Sequence, residues 1–170
     1  KVLILFAYTG GATLAAAAAG AQVTHVDASK GMVTWAKENA VSSGLGDAPI
    51  RWLVDDCVKF VEREIRRGNT YDAIIMDPPS YGRGPKGEIW KIEDMIHPLI
   101  KLCTKILSKD ALFFLVNSYT TGLAPAVLTY MISTELKPWN GHVDSQEIGL
   151  PVTSNGLVLP CGASGRWESK

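Results

Sequence analysis

The sequence predicts an α/β protein with a mostly parallel, doubly wound sheet that ends in an antiparallel β-hairpin. Short apolar runs alternate with amphipathic helical patterns over the first 117 residues. The remaining third contains two strand-like runs that only six residues separate. With 170 residues, 46% of them hydrophobic and 20% charged, the chain fits one domain with an adequate core. We therefore expect residues 1–170 to form a single domain.

Five apolar runs predict the parallel strands. Each is short, rich in aliphatic residues and separated from the next by a helical pattern, which is typical of a sheet covered on both faces. The runs are VLILFA (2–7), QVTHVD (22–27), IRWLV (50–54), AIIMD (73–77) and ALFFLVN (111–117).

Capping residues mark the helices between these strands. Ser29 is suited to cap a helix that Gly44 ends, and Asp56 is suited to cap one that finishes with basic residues before Gly68. An apolar stripe over 92–107 predicts a third helix, in which Pro98 must lie in the first turn or produce a kink.

The C-terminal third predicts a helix followed by a hairpin. Residues 121–135 have a helical pattern, and HVDSQEIGL and GLVLPC then resemble strands. The short connection PVTSNG requires the two strands to pair antiparallel, because a parallel crossover needs about a dozen residues or more.

Charge and cysteine content exclude several classes of protein. Seventeen basic and seventeen acidic residues leave no net charge, which argues against binding nucleic acid by bulk electrostatics alone. Three widely spaced cysteines provide neither a disulfide framework nor a C-x-x-C metal site, so we expect no metal.

No apolar run approaches the length of a membrane span, which is about 18 residues. We therefore expect a soluble, cytoplasmic protein.

A glycine pair marks the first candidate site, in FAYTGGATLAAAAAG. Gly10 and Gly11 lie where a strand turns into a helix, so the backbone could approach a ligand and direct amide groups at it. A nucleoside or nucleotide is implied, although a simple tight turn explains two glycines equally well. The dehydrogenase pattern G-x-G-x-x-G is absent. The strand end contributes the predicted ligand contacts Phe6, Ala7, Tyr8 and Thr9.

Acids follow the second and third strands. Asp27 could accept hydrogen bonds from both hydroxyls of a ribose. The alternative is that it caps the next helix. Asp55 or Asp56 could hold an adenine amino group, and capping explains Asp56 equally well. These strand ends face one crevice, where open α/β sheets bind ligands. The same wall is predicted to include Ala28, Ser29 and Cys57.

The fourth strand ends in DPPSY, which suits a planar substrate. Pro78 and Pro79 lack N–H groups and make a rigid turn with free carbonyls. Asp77 and these carbonyls only accept hydrogen bonds, which fits an amine or a ring N–H. Tyr81 could stack on a base, worth about 1–3 kcal/mol. The alternative is a loop whose prolines only stop the strand.

A glycine-rich basic segment, GRGPKGE, follows this motif. Arg83 and Lys86 could bind phosphate on a flexible loop that closes over the site, although a solvated surface loop explains two charges as well. The remaining predicted substrate contacts are Ser80 and Asn117.

In this order, LFAYTGGATLAAAAAGA, VTHVDASKGMVTWAKEN, DDC, DPPSYGRGPKGE and LVNSYTTG resemble class I S-adenosylmethionine-dependent methyltransferases, which have a Rossmann-like fold. The similarity is to the branch with bacterial large-subunit (23S) rRNA base methyltransferases. The resemblance implies S-adenosylmethionine as cofactor and ribosomal RNA as partner. It places the methionine at Tyr8 to Gly11, the ribose at Asp27, the adenine at Asp56, and methyl transfer at Asp77, Pro78 and Pro79.

The chain departs from the family in two ways. Family members carry residues ahead of the first strand, often an RNA-binding module, so a start at Lys1 implies an N-terminal truncation. The cytosine-5 branch has a nucleophilic cysteine after the fifth strand, where this chain has NSYTTG. Transfer to a nitrogen is therefore favoured. The alternatives are a dehydrogenase, a binding module without turnover, and a methyltransferase for a protein or a small molecule.

Overall fold

The computed structural model describes residues 1–170, which form nine strands and five helices. The strands are β1 Val2–Leu5, β2 Val23–Asp27, β3 Ile50–Val54, β4 Ala73–Met76, β5 Tyr81–Arg83, β6 Ile89–Lys91, β7 Phe113–Ser118, β8 Gly141–Val152 and β9 Leu157–Ser169. The helices are α1 Gly11–Ala18, α2 Lys30–Ser42, α3 Cys57–Arg67, α4 Ile92–Thr104 and α5 Pro125–Glu135. Seven strands form one sheet of order β3-β2-β1-β4-β7-β9-β8, and β5 and β6 form a separate hairpin. The first five strands in the sheet order pair parallel, and β9 and β8 are antiparallel. None of these helices has the length and apolar character needed to span a membrane.

The predicted mostly parallel sheet and its closing hairpin are confirmed. The predicted strand β3 has the observed bounds, whereas β1 stops two residues early. It ends there because Phe6 adopts a left-handed φ of 54°, which a strand cannot continue through. The two strands β5 and β6 were not expected from the sequence.

The helix caps act as predicted. The Ser29 side chain accepts a hydrogen bond from the amide of Met32, and Asp56 accepts one from the amide of Lys59. Gly68 ends α3 in the left-handed conformation. Pro98, in contrast, lies inside α4 and not in its first turn, because the helix already begins at Ile92.

The core lies mainly between the sheet and the helices α3, α4 and α5, in a cluster of 26 buried residues. A smaller cluster of six fills the side of α1. The expectation that helices cover both faces holds for only part of the sheet. On one face of β8 and β9, Leu128 of α5 packs against Gly165. On the opposite face, the side chains of Asp144 and Arg166 are exposed.

Two buried polar groups lie beneath the helices away from the carboxyl edge of the sheet. The Glu64 carboxylate accepts hydrogen bonds from Tyr71 at 2.7 Å and from Asn69 and Arg67 at 2.9 Å. Burial alone would raise the pKa of Glu64, but these donors bring it below its usual value.

The second buried polar group is His25, whose Nδ1 lies 2.9 Å from the hydroxyl of Thr13. Its Nε2 atom has no hydrogen-bond partner in the chain. Burial lowers the pKa of His25 to about 4. The imidazole is therefore neutral at physiological pH.

Candidate functional site

The carboxyl ends of β1, β2, β3 and β4 meet at one edge of the sheet, where they border a cavity of about 640 Å³. The size is within the usual range for a site that binds a small molecule or a cofactor. The β5-β6 hairpin and the residue after β7 close the remaining sides. The cavity is lined by Phe6, Tyr8, Asp27, Ala28, Ser29, Asp56, Cys57, Asp77, Pro79, Gly82, Arg83, Gly84, Trp90 and Tyr119.

The end of β1 has an unusual backbone. Phe6 and Tyr8 have φ values of 54° and 48°, and such conformations cost non-glycine residues about 1–3 kcal/mol each. Hydrogen bonds hold both residues in place: the Phe6 amide donates to Cys57 Sγ at 3.3 Å and the Tyr8 amide to Asp27 Oδ2 at 2.9 Å. These two hydrogen bonds therefore fix the conformation of the strand end.

The following loop is fixed against α2. Asn39 donates its side-chain amide to the Thr9 carbonyl at 2.9 Å. Gly10 has a φ of 90°, and a Cβ there would lie 3.1 Å from the Cβ of Ala36. A side chain at position 10 is disfavoured by both the backbone and the space, so the glycine is required by the turn.

Asp27 orients the neighbouring strand ends and keeps acceptor capacity. Its Oδ2 accepts the Tyr8 amide and its Oδ1 accepts the Ser29 amide at 2.8 Å. Ser29, and not Asp27, is the N-cap of α2, so the capping interpretation of Asp27 is not supported. Each carboxylate oxygen has a further lone pair, and the side chain lines the cavity.

The two acids after β3 separate into different roles. Asp55 forms a salt bridge with Arg63 and does not line the cavity. Asp56 caps α3 and reaches the cavity wall. The neighbouring Cys57 is buried, and burial raises the pKa of its thiol, so the sulfur stays protonated.

The end of β4 presents one unpaired carboxylate. Asp77 receives no side-chain hydrogen bond from the chain and lines the cavity. Although this residue is exposed at the mouth, the walls partly desolvate the carboxylate and raise its pKa. The expectation of two free proline carbonyls is wrong for Pro79, which accepts the indole N–H of Trp90 at 2.7 Å. The Pro78 carbonyl receives no hydrogen bond.

The predicted flexible loop after this motif is an ordered hairpin. The Gly84 amide donates to the Glu88 carbonyl at 2.8 Å, and the Glu88 side chain pairs with Lys59 of α3. The Lys59 ammonium and two backbone amides lower the pKa of Glu88 to about 2. Arg83 lines the cavity, whereas Lys86 lies outside it.

Several predicted contacts lie outside the cavity wall. Tyr81 and Asn117 flank the cavity without lining it, and Ser80 hydrogen-bonds Thr120 across two loops at 2.7 Å. The other predicted residues that do not line it are Ala7, Thr9, Gly10, Gly11, Asp55, Pro78 and Lys86.

Sequence reasoning also missed four lining residues. Tyr119 directly follows β7, so the rule about strand ends could have found it. Trp90 packs against Phe6 with ring centroids 4.7 Å apart, and only the unexpected hairpin brings it there. The remaining two are Gly82 and Gly84.

The cavity has an acid at the second strand end and another at the third, and the sequence has no dinucleotide fingerprint. These features are typical of α/β proteins that bind a nucleoside. The closing antiparallel hairpin distinguishes this architecture from the dinucleotide fold. The chain belongs to the S-adenosylmethionine-dependent methyltransferase family, whose sequence model matches residues 1–132. The cofactor of this family is S-adenosylmethionine.

The curated relatives are ribosomal RNA methyltransferases and are much longer. The ribosomal RNA large subunit methyltransferase K/L of Shewanella frigidimarina is 36% identical over 108 residues, which are 60% of this chain and 15% of that protein. The ribosomal RNA large subunit methyltransferase K of Neisseria meningitidis serogroup B is 31% identical over 120 residues, 69% of this chain and 34% of that protein. The chain thus spans 15% and 34% of these two relatives.

Solved structures agree on the fold. The crystal structure of the SAM dependent methyltransferase from Agrobacterium tumefaciens has a TM-score of 0.95 and 44% identity, covering all of this chain and 56% of that one. The protein SMU.776, solved in complex with SAH, has a TM-score of 0.78 at 24% identity, over 98% of this chain and 44% of that one. The second similarity concerns the fold alone.

Proposed function

We propose that residues 1–170 act as one catalytic domain that transfers a methyl group from S-adenosylmethionine to a base nitrogen of ribosomal RNA. The observation that carries the proposal is the Asp77 carboxylate. It is unpaired, partly desolvated, and shares one cavity with Asp27. A proton acceptor thus lies beside a site for a ribose.

The residues of the cavity fit the cofactor. Asp27 keeps free lone pairs for the two ribose hydroxyls, and Asp56 keeps one carboxylate oxygen free of its cap for an amino group of adenine. Tyr8 lines the cavity and would border the methionine portion, whereas Thr9, Gly10 and Gly11 lie outside the cavity wall. Phe6 and Trp90 supply apolar surface that excludes water.

Bound S-adenosylmethionine supplies an electrophilic methyl group on a sulfonium. The enzyme's task is then to align an acceptor nitrogen with that methyl group and to receive the proton that the nitrogen loses. Asp77 would accept the hydrogen bond of the amino group and then its proton. The free Pro78 carbonyl would accept a second N–H, while the bond from Trp90 to Pro79 keeps the turn rigid.

The cysteines support a nitrogen acceptor over cytosine C5. Attack on a pyrimidine ring requires a thiolate. Cys57 is the cysteine in the cavity wall, and its sulfur is buried, protonated and hydrogen-bonded to the Phe6 amide. Cys103 belongs to α4 and is buried in the core, and Cys161 on β9 does not line the cavity.

The curated relatives support RNA as the substrate class, because both are named as ribosomal RNA methyltransferases. Tyr81 and Tyr119 expose 52% and 55% of their surface at the mouth of the cavity, where bases could stack. Around this mouth the substrate would contact Arg83, Lys86, Ser80 and Asn117. Methylation of ribosomal RNA would take place in the cytoplasm.

Calorimetric titration with S-adenosylmethionine tests the cofactor site. We expect micromolar binding that Asp27→Ala abolishes, and no binding of NAD. Asp55→Asn is the matched control, because it alters an acid at a neighbouring strand end that faces Arg63 and not the cavity. Equal loss of affinity in both variants would contradict the assigned roles.

Transfer of a labelled methyl group tests the substrate. Ribosomal RNA that lacks the modification should become labelled on a base nitrogen, as nucleoside mass spectrometry would show. Protein extract and small amines serve as competing substrates. Label only in one of these, or on C5 of cytosine, would refute the proposal.

A further inference from the structure

A second cavity of about 800 Å³ lies between α4, α5 and the loop after β7. Its floor consists of the buried side chains of Ile92, Ile96 and Met131. Tyr130 forms one wall and exposes 72% of its surface, the largest fraction among the exposed large hydrophobic residues. We call this cavity the α4-α5 groove.

The groove adjoins the cofactor cavity. Tyr119 lines the cofactor cavity and the next residue, Thr120, lines the groove, so the two walls share one stretch of backbone. The Thr120 hydroxyl also hydrogen-bonds Ser80, three residues after Asp77. A strand with one base in the transfer site can therefore extend into the groove.

The groove has one acidic side chain, Glu93, beside the hydroxyls of Thr120, Thr121 and Tyr130, which can donate and accept. Glu93 is exposed at the rim and has no salt bridge, while His97 is paired with Glu135 at 2.8 Å. The groove residues include no lysine or arginine. A phosphate would be repelled here, whereas the exocyclic amine of a base would find an acceptor in Glu93.

We propose that the α4-α5 groove binds a nucleobase that neighbours the methylated base in the RNA substrate, stacked on Tyr130 with its edge toward Glu93. The proposal rests on the proposed function, since it assumes RNA as the substrate. The apolar floor and the exposed ring of Tyr130 match the flat faces of a base, and the Glu93 carboxylate at the rim matches its amino edge. A base bound here would fix the position of the strand relative to Asp77.

The test uses single-stranded RNA of about ten nucleotides that carries 4-thiouridine and is bound in the presence of S-adenosylhomocysteine. Photo-cross-linking followed by mass spectrometry should attach RNA to peptides that contain Thr120 to Met131. Cross-links confined to other parts of the chain would overturn the proposal.

Affinity measurements with the same RNA separate stacking from other contacts. Tyr130→Ala should weaken binding by about fivefold to a hundredfold, and Tyr130→Phe should retain it, because stacking requires only the ring. Trp35→Ala, which removes another exposed aromatic residue, on α2, should have no effect. Wild-type affinity in Tyr130→Ala would overturn the proposal.

A third variant distinguishes a base from a phosphate. Glu93→Gln should weaken binding of RNA with cytidine at the cross-linked position more than binding of the same RNA with uridine there, because uracil has no exocyclic amine; an equal change for the two RNAs would overturn the proposal. Affinity for S-adenosylmethionine should be unchanged in all these variants. Failure of the groove alone would leave wild-type RNA methylation intact, whereas failure of the proposed function would remove RNA methylation from the wild-type protein itself.

Discussion

The indole N–H of Trp90 donates to the carbonyl oxygen of Pro79 at 2.7 Å, which joins the β5-β6 hairpin to the turn at the end of β4. The same indole packs against Phe6 at the end of β1. One side chain thus connects two strand ends of the sheet with the hairpin that borders the cavity at the carboxyl edge.

Replacing Trp90 with Phe should loosen this turn. We expect a loss of about 1–2 kcal/mol in unfolding free energy, because the Pro79 carbonyl loses its donor, together with a lower methyl-transfer rate. Trp139→Phe is the matched control, since that indole donates to the Ser108 carbonyl at 2.9 Å away from the cavity. It should lose similar stability in urea denaturation while its transfer rate stays at the wild-type value.

Asp77→Asn should lower kcat by about 10² to 10⁴, because an amide cannot take the proton. In the wild-type enzyme kcat/KM should fall with acidification at a pH above the usual pKa of aspartate, since desolvation raises the pKa of Asp77. Rate profiles against pH check this. An unchanged kcat in the variant would exclude Asp77 as proton acceptor.

The same variant should be more stable than the wild type at pH 7. A raised pKa means that the folded state disfavours the ionised carboxylate, so ionised Asp77 lowers the unfolding free energy at neutral pH. This destabilisation should become smaller as the pH falls through the raised pKa, because the carboxylate is then protonated. Thermal unfolding without ligand measures the difference. Asp110→Asn, at an exposed turn before β7, should show no such gain.

Acid should destabilise the protein through His25. Its folded-state pKa of about 4 is below the ordinary 6.5, so the unfolded chain binds a proton more readily and stability falls as pH decreases from 6.5 toward 4. Between pH 7 and pH 4.5 this residue should account for about 2 kcal/mol. In urea denaturation, the unfolding free energy of His25→Leu should decrease over this pH interval by that amount less than the free energy of the wild type does. His142→Gln, at an exposed site on β8, should behave as the wild type.

The hairpin should lose order when its link to α3 is removed. Glu88→Gln replaces the partner of Lys59 with a neutral amide, and hydrogen exchange of residues 81–91 should become faster. High salt should produce the same change in the wild type, because Lys59 is half exposed. Glu62→Gln, an exposed change on the same helix, should leave the exchange rates unaltered.

Local patterns predict most of the fold. Apolar runs determine strands well when both faces are buried, and Ser29, Asp56 and Gly68 cap helices through contacts within three residues. The β5-β6 hairpin was missed because its strands contain three residues each and depend on Trp90 and Glu88 contacts that are distant in sequence. The exposed face of β8 and β9 was likewise not predicted, because it depends on which strands the helices pack against.

The candidate site was predictable where residues follow parallel strands, because those strand ends must share an edge. Asp27, Asp56 and Asp77 line one cavity for that reason. Side-chain direction was not predictable: Asp55 faces Arg63, and the Pro79 carbonyl is occupied by Trp90. Both outcomes depend on partners that only the folded chain brings near.

The left-handed backbone at Phe6 and Tyr8 should affect which substitutions the protein tolerates. In a mutational scan with two separate selections, abundance in cells should favour glycine or asparagine at the exposed Tyr8, where they relieve the dihedral strain, but not at Phe6, whose ring packs against Trp90. Selection for methylation should favour the aromatic side chains that line the cavity. Positions where the two selections disagree would identify residues that are retained for catalysis although they destabilise the folded chain.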